Sequence, residues 1–218
     1  MADDLPREAS AYSVEDCRVP AASEKLEYAI CRADIVLLSD AILALGVSVP
    51  ADDYPAASRN EMRVLARVFK GDRSIGENLP WTELHQGPFR ASAAVQIAAS
   101  VLSGSDFGVD PAELWDFAWE YWQKPTSFIP RLLMLAILDH PRAFGLIEKE
   151  LSDAPTGSEK FSIALKSLQE ICDPRAIELL RKLSDSADRE RAKMASEAAS
   201  FYLTNTVRWC QGRGRRAE

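Results

Sequence analysis

The chain has little of what catalytic and metal sites are usually built from. Among 218 residues there are two histidines, His85 and His140, and four cysteines, Cys17, Cys31, Cys172 and Cys210. The cysteines lie far apart with no CxxC spacing, so neither a zinc ribbon nor a dithiol redox motif is written there. Reduced thiols in a cytoplasmic protein are the expected state. A Gly-rich strand-to-helix turn, a G-x-S-x-G elbow and a phosphate loop are missing, which removes the enzyme classes those motifs mark. The most apolar run, IVLLSDAILALGV (Ile35 to Val47), is broken by Ser39 and Asp40. It falls short of the roughly 20 residues a membrane span needs. The first residues, MADDLPREASAYSVEDC, carry acids and no apolar core, so no secretory signal is expected. β-branched residues are thin and dispersed, which counts against sheet.

What is present favours helix. Apolar residues make up 47% of the chain and charged residues 27%, a globular balance in which Ala, Leu, Glu, Arg and Ser dominate. The net charge of −7 and a pI near 5.0 oppose non-specific affinity for nucleic acid or an acidic membrane. The charge is uneven: Asp173 to Glu218 holds ten Lys or Arg against seven Asp or Glu. An acidic body with a mildly basic end suits a basic protein partner, although a solvated helical surface gives the same pattern.

Along the chain, residues 1–22 hold Pro6 and Pro20 without helical periodicity and read as a flexible lead. A helix is expected from Ser23 through Leu26, Ile30, Ala33, Leu37, Ala41 and Ala44 to a stop at Gly46. A second runs from about Arg59 to Phe69, burying Met62, Leu65, Ala66 and Phe69, with Gly71 ending it. Residues 70–90 form the longest irregular stretch, closing an N-terminal helical part over 23–87. That loop either carries function or merely spans two helix pairs. From residue 88 to 207 the pattern is helix upon helix. The first is rich in Ala and Ser, and a later one is opened by Asp110, Pro111 and Glu113. Residues 208–218 read as a basic, frayed tail.

A repeat lies within the second half. HPRAFGLIEKELSD (140–153) aligns with DPRAIELLRKLSD (173–185) at an offset of 33 residues. Pro141, Arg142 and Ala143 fall on Pro174, Arg175 and Ala176, and each copy is followed by a turn and a second amphipathic helix. The second helices place Phe161, Ala164, Leu165 and Leu168 in one copy against Met194, Ala195, Ala198 and Phe201 in the other. Asp110-Pro111 opens a fainter copy 30 residues before His140. Self-similarity at this period marks a stacked-repeat fold, because one pair cannot bury its apolar stripe alone.

The wording DPRAIELLRKLSD…DRERAKMASEAAS closely resembles a HEAT-like repeat of the armadillo/HEAT superfamily, well over 140–204 and more faintly over 88–139. The resemblance implies an all-α fold of antiparallel helix pairs stacked into a short curved α-solenoid. It also implies a role in holding other macromolecules. The first half lacks the motif, and the 70–90 loop breaks any regular period.

Candidate contact residues follow from these patterns. Trp115, Trp119 and Trp122 share one helical stripe, and Glu113, Asp116, Glu120 and Gln123 form the polar strip opposite. Core packing accounts for such a stripe; the alternative is an aromatic patch facing a partner. With Trp81 and His85 from the 70–90 loop and the repeat arginines Arg142 and Arg175, the candidate partner-binding set is Trp81, His85, Asp116, Trp119, Glu120, Arg142 and Arg175. No catalytic residue, metal ligand or cofactor is expected, and no small-molecule substrate. The expectation is a non-catalytic protein-binding module, of the kind that acts as an adaptor, an immunity protein or another inhibitor. The competing expectation is a nucleic-acid-binding protein or a glycosylase-like enzyme working through Asp116 and its tryptophans. The acidic balance and the loose match around Asp116 oppose it.

Overall fold

A computed structural model describes residues 25–32, 37–38, 41, 56–75, 79, 81–85, 87–124, 129–206 and 210. All regular structure among them is helical. The chain divides into two compact units, Met1–Phe89 and Arg90–Glu218.

In the first unit, α1 (Lys25–Arg32) lies within the helix expected from Ser23, and Leu37, Leu38 and Ala41 are also helical. Ser23 and the Gly46 stop lie outside the described residues. The next helix, α2 (Ala56–Lys70), starts a turn earlier than expected and buries Val64, Leu65, Ala66, Val68 and Phe69. Gly71 ends it in the left-handed region, φ +68°, its N–H donating to Val68 O at 3.1 Å. That conformation is open to glycine at no steric cost.

The 70–90 stretch is not the long irregular loop that its glycines and prolines suggest. A 3-10 turn covers Arg73–Ile75, a single helical turn α3 covers Trp81–Leu84, and α4 (Gly87–Leu102) begins within it. Leu79, Trp81 and Leu84 are buried. Three apolar side chains at 79, 81 and 84 fix a segment whose composition alone reads as loop.

The second unit takes α4 from Arg90 onward. That stretch buries Ala91, Ala93, Ala94, Ile97, Ala98 and Val101, small residues that admit close packing on more than one side. Helix α5 (Pro111–Trp122) starts with a full capping box. The Asp110 side chain accepts from Ala112 N at 2.8 Å, and Glu113 Oε2 accepts from Asp110 N at 3.0 Å. Then follow α6 (Arg131–Ile137), α7 (Ala143–Asp153), α8 (Glu159–Glu170), α9 (Arg175–Ser184), α10 (Arg189–Phe201) and a π-helical turn, Tyr202–Thr206. Helix α5 packs on α6, α7 on α8 and α9 on α10; α8 also packs against α6 and α10. The second helix of each pair thus meets the second helix of the next.

The expectation of a buried tryptophan stripe changes, and the last pair is only partly covered. On α5 the buried stripe is Leu114, Phe117, Ala118 and Tyr121, while Trp115, Trp119 and Trp122 are half-buried. On α9 only Ala176 and Leu180 are buried. Ile177, Leu179 and Leu183 stay half-covered, and Phe201 and Leu203 beyond them are 45% and 51% exposed. A helix pair is fully covered only when it has neighbours on both sides.

The thiol expectation is overturned for two cysteines. Cys172 and Cys210 form a disulfide across 38 residues, joining the segment before α9 to the chain beyond α10. Cys17 and the Cys31 side chain lie outside the described residues, as does the tail apart from Cys210. No helix among the described residues is long and apolar enough to cross a membrane.

Candidate functional site

The two copies of the Pro-Arg-Ala motif meet where the segments 138–142 and 171–175 cross the ends of the helices. Asp139 is at the centre, with φ +48°, a left-handed conformation that a non-glycine residue rarely adopts. Its Oδ1 accepts the Cys172 N–H at 2.7 Å, a bond between residues 33 apart, which is the offset of the sequence repeat. Farther round, Thr156 Oγ1 donates to Asp188 Oδ2 at 2.6 Å, and Arg191 donates to Ala154 O at 2.9 Å, binding the turn after α7 to the start of α10. Hydrogen bonds from Thr156 and from the Glu190 and Arg191 backbone hold the Asp188 carboxyl below the usual carboxylate range.

Tryptophans of α5 hold the first crossing. Trp115 Nε1 donates to Leu138 O at 3.0 Å. Trp119 stacks on the His140 ring, centroids 5.3 Å apart and planes 13° off parallel, and the Arg142 guanidinium lies 4.5 Å from the Trp119 centroid. The second crossing repeats the device: Arg175 lies 4.2 Å from the Phe144 ring centroid, and its guanidinium pairs with Asp173. A third instance occurs between second helices, with Arg191 4.9 Å from the Phe161 centroid. An arginine over an aromatic face combines cation–π attraction with packing of its aliphatic stem.

His140 is 9% exposed. Its Nδ1 accepts the Arg142 N–H at 3.1 Å, which places the proton of the neutral ring on Nε2. Burial and the positive Arg142 lower its pKa, with Asp116 opposing them. The Arg175 hydrogen bond, against burial, lowers the Asp173 carboxyl. Tyr202, whose hydroxyl donates to Asp173 O at 3.1 Å, is pushed up to about 12 by burial and by the charges of Asp173 and Asp139.

Between the two crossings lies a cavity of about 340 Å³. Its walls include Leu102, Trp115, Pro141, Phe144 and Ile171, with the Cys172–Cys210 disulfide, and Asp139, His140 and Asp173 supply the polar part.

The structure brings Asp116, Trp119 and Arg142 together around His140, and puts Arg175 on the neighbouring crossing. Glu120 is set apart, bound to Lys124 at 3.0 Å and Arg90 at 3.9 Å. Trp81, 6% exposed, is core of the first unit and not a surface contact. His85 is half-buried there: its Nδ1 is enclosed without a hydrogen-bond partner among the described residues, and it sits so close to Gly71 that an added Cβ would lie 2.8 Å away. Sequence reasoning missed Trp115, Asp139, Phe144 and the disulfide as members of one site. The signal available was the alignment itself, which sets Asp139 on Cys172. Among the described residues no group of three or more His, Cys, Asp or Glu side chains could hold a metal ion.

The division into units also relocates the acidic surplus. Residues 1–89 carry fifteen Asp or Glu against nine Lys or Arg, whereas residues 90–218 carry eighteen against seventeen. No family model, curated protein or solved structure matches the chain.

Proposed function

We propose that residues 88–207 form a short HEAT-like α-solenoid of stacked antiparallel pairs, and that the chain works by binding another protein without catalysis. The observation that carries the fold reading is the Asp139–Cys172 bond, a contact between equivalent positions of successive repeats at their 33-residue offset. The recurring arginine-over-aromatic contacts support it, as does the approach of second helices to one another, which bends a stack toward that side. The binding surface in this reading is the row of crossings, with Asp116, Trp119 and Arg142 on one and Arg175 on the next. Aromatic and arginine side chains held in place before contact make efficient interface anchors, because little rotamer entropy is lost on association. The partner is a protein, basic where it meets the acidic first 89 residues, as an adaptor or an inhibitor of the immunity type would require.

The test is affinity co-purification of the full chain, followed by a binding titration of the recovered protein with purified components. Trp119→Ala with Arg142→Ala weakens binding by at least about tenfold, the range of interface anchors. The reading fails if no protein partner is recovered while the chain turns over a small substrate, or if it binds DNA or RNA with strong salt dependence.

A further inference from the structure

We infer that the Cys172–Cys210 disulfide is a redox latch on the second crossing: a small dithiol exchanges with the protein sulfurs there and loosens the crossing while the helices stay folded. The latch belongs to the chain alone. Its consequence for partner affinity rests on the protein-binding reading above.

Three observations meet at this bond. The first is access. Both cysteines are half-buried and both line the cavity between the crossings, so a thiol that enters this space of about 340 Å³ meets the bond. Disulfides within reach of thiols are the labile ones, whereas those sealed in a core resist reduction.

The second is position. Cys172 stands directly before Asp173 and Arg175, the ion pair of the second crossing, and its N–H is held by Asp139 of the first. A change at Cys172 therefore acts on both crossings. The third is what survives reduction. Asp139 still accepts the Cys172 N–H, the Tyr202 hydroxyl still donates to Asp173 O, and Thr206 Oγ1 still donates to Gln169 O. These bonds keep the turn after α10 against the segment before α9, so losing the covalent tie loosens the last pair without releasing it. That pair, with Phe201 and Leu203 exposed, belongs to the part of the unit that opens most readily.

In the exchange a dithiol thiolate attacks one cysteine sulfur, and the other leaves as a thiolate and takes a proton. The second dithiol sulfur then closes onto the first and releases the remaining cysteine. Two electrons and two protons pass to the protein, and the dithiol becomes a cyclic disulfide. A small disulfide oxidant reverses the reaction. Anchors held in place before contact lose least on binding, so the oxidised chain is the tighter-binding form.

The experiment treats the full oxidised chain with dithiothreitol in native buffer, alkylates it with iodoacetamide and locates the label by peptide mass spectrometry. Cys172 and Cys210 are expected to take up label while the helical circular dichroism is retained, and oxidised glutathione restores the starting NMR spectrum of an unalkylated sample. Reduction shifts the signals of the Trp115 indole and the His140 ring, which line the same cavity. Cys210→Ser, which breaks this bond alone, produces those shifts without dithiothreitol. Reduction only after denaturant is added overturns the latch, as does loss of helix on reduction or an unchanged pair of signals. The protein recovered by co-purification is then titrated against the oxidised chain and against Cys210→Ser, where binding weakens by about fivefold or more, as for ordinary coupling between sites. Equal affinity for the two overturns the control of binding. A chain that resists dithiothreitol yet binds its partner overturns the latch and leaves the protein-binding reading standing. Labelling and shifts as expected, with no protein partner recovered, do the reverse.

Discussion

His140 accepts the Arg142 N–H on Nδ1 only while its ring is neutral, so a proton arriving there removes a bond from the crossing. Its pKa is lowered in the folded chain, and the unfolded value is about 6.5. Stability from this group is therefore complete above pH 6.5 and lost as the pH falls through the lower folded value, because the unfolded chain takes the proton first. Denaturant midpoints measured from pH 7.5 to 5 should fall, and His140→Gln should flatten that fall. At Gly71 the prediction is steric. Gly71→Ala sets a Cβ 2.8 Å from His85 Nδ1 in a left-handed backbone, and the cost is about 1–3 kcal/mol by thermal melting. Asp139→Ala loses the bond to Cys172 N and leaves alanine in a conformation that disfavours it. Chemical denaturation should show a loss of about 2–4 kcal/mol.

At the scale of elements, α5 shows how periodicity locates a helix without saying which side it buries. Two stripes on α5 are apolar, one through Leu114, Phe117, Ala118 and Tyr121 and the other through the tryptophans. The first packs inward because those side chains fill the space toward α6, whereas the indoles reach the crossing segments and present N–H and ring faces to them. Trp115→Phe keeps an aromatic ring but loses the pyrrole half of the indole and the donor to Leu138 O; it should cost about 1–3 kcal/mol and raise exchange of the amides near Asp139. The caps were readable in advance. Asp110-Pro111 with Glu113 is a local arrangement needing nothing distant, and it forms as composed. The 70–90 stretch was not readable, because its order depends on Leu79, Trp81 and Leu84 finding cover in the first unit.

For the second unit as a whole, the disulfide ties the beginning of the last helix pair to the chain after it. That pair covers its apolar side incompletely, with Phe201 and Leu203 exposed, so it depends on the tie more than an internal pair would. Reduction, or Cys210→Ser, should lower stability by about 2–4 kcal/mol, the entropic value of a closed loop of this size. The loss should appear first as faster amide exchange in α9 and α10, with α7 and α8 affected less. Equal loss across all four helices would contradict an end-localised role.

Sequence alone determined the helical class, the capped start at Asp110, and the 33-residue recurrence of Pro-Arg-Ala. Each of these is local, or is a pattern of like residues at a fixed spacing. Tertiary structure decided which α5 stripe is buried, that Trp81 is core, that Cys172 meets Cys210, and that Asp139, His140, Trp115 and Phe144 enclose one cavity. Those outcomes depend on which segments come together across 20 to 40 residues, and spacing along a chain does not record the direction in which a side chain meets its neighbour.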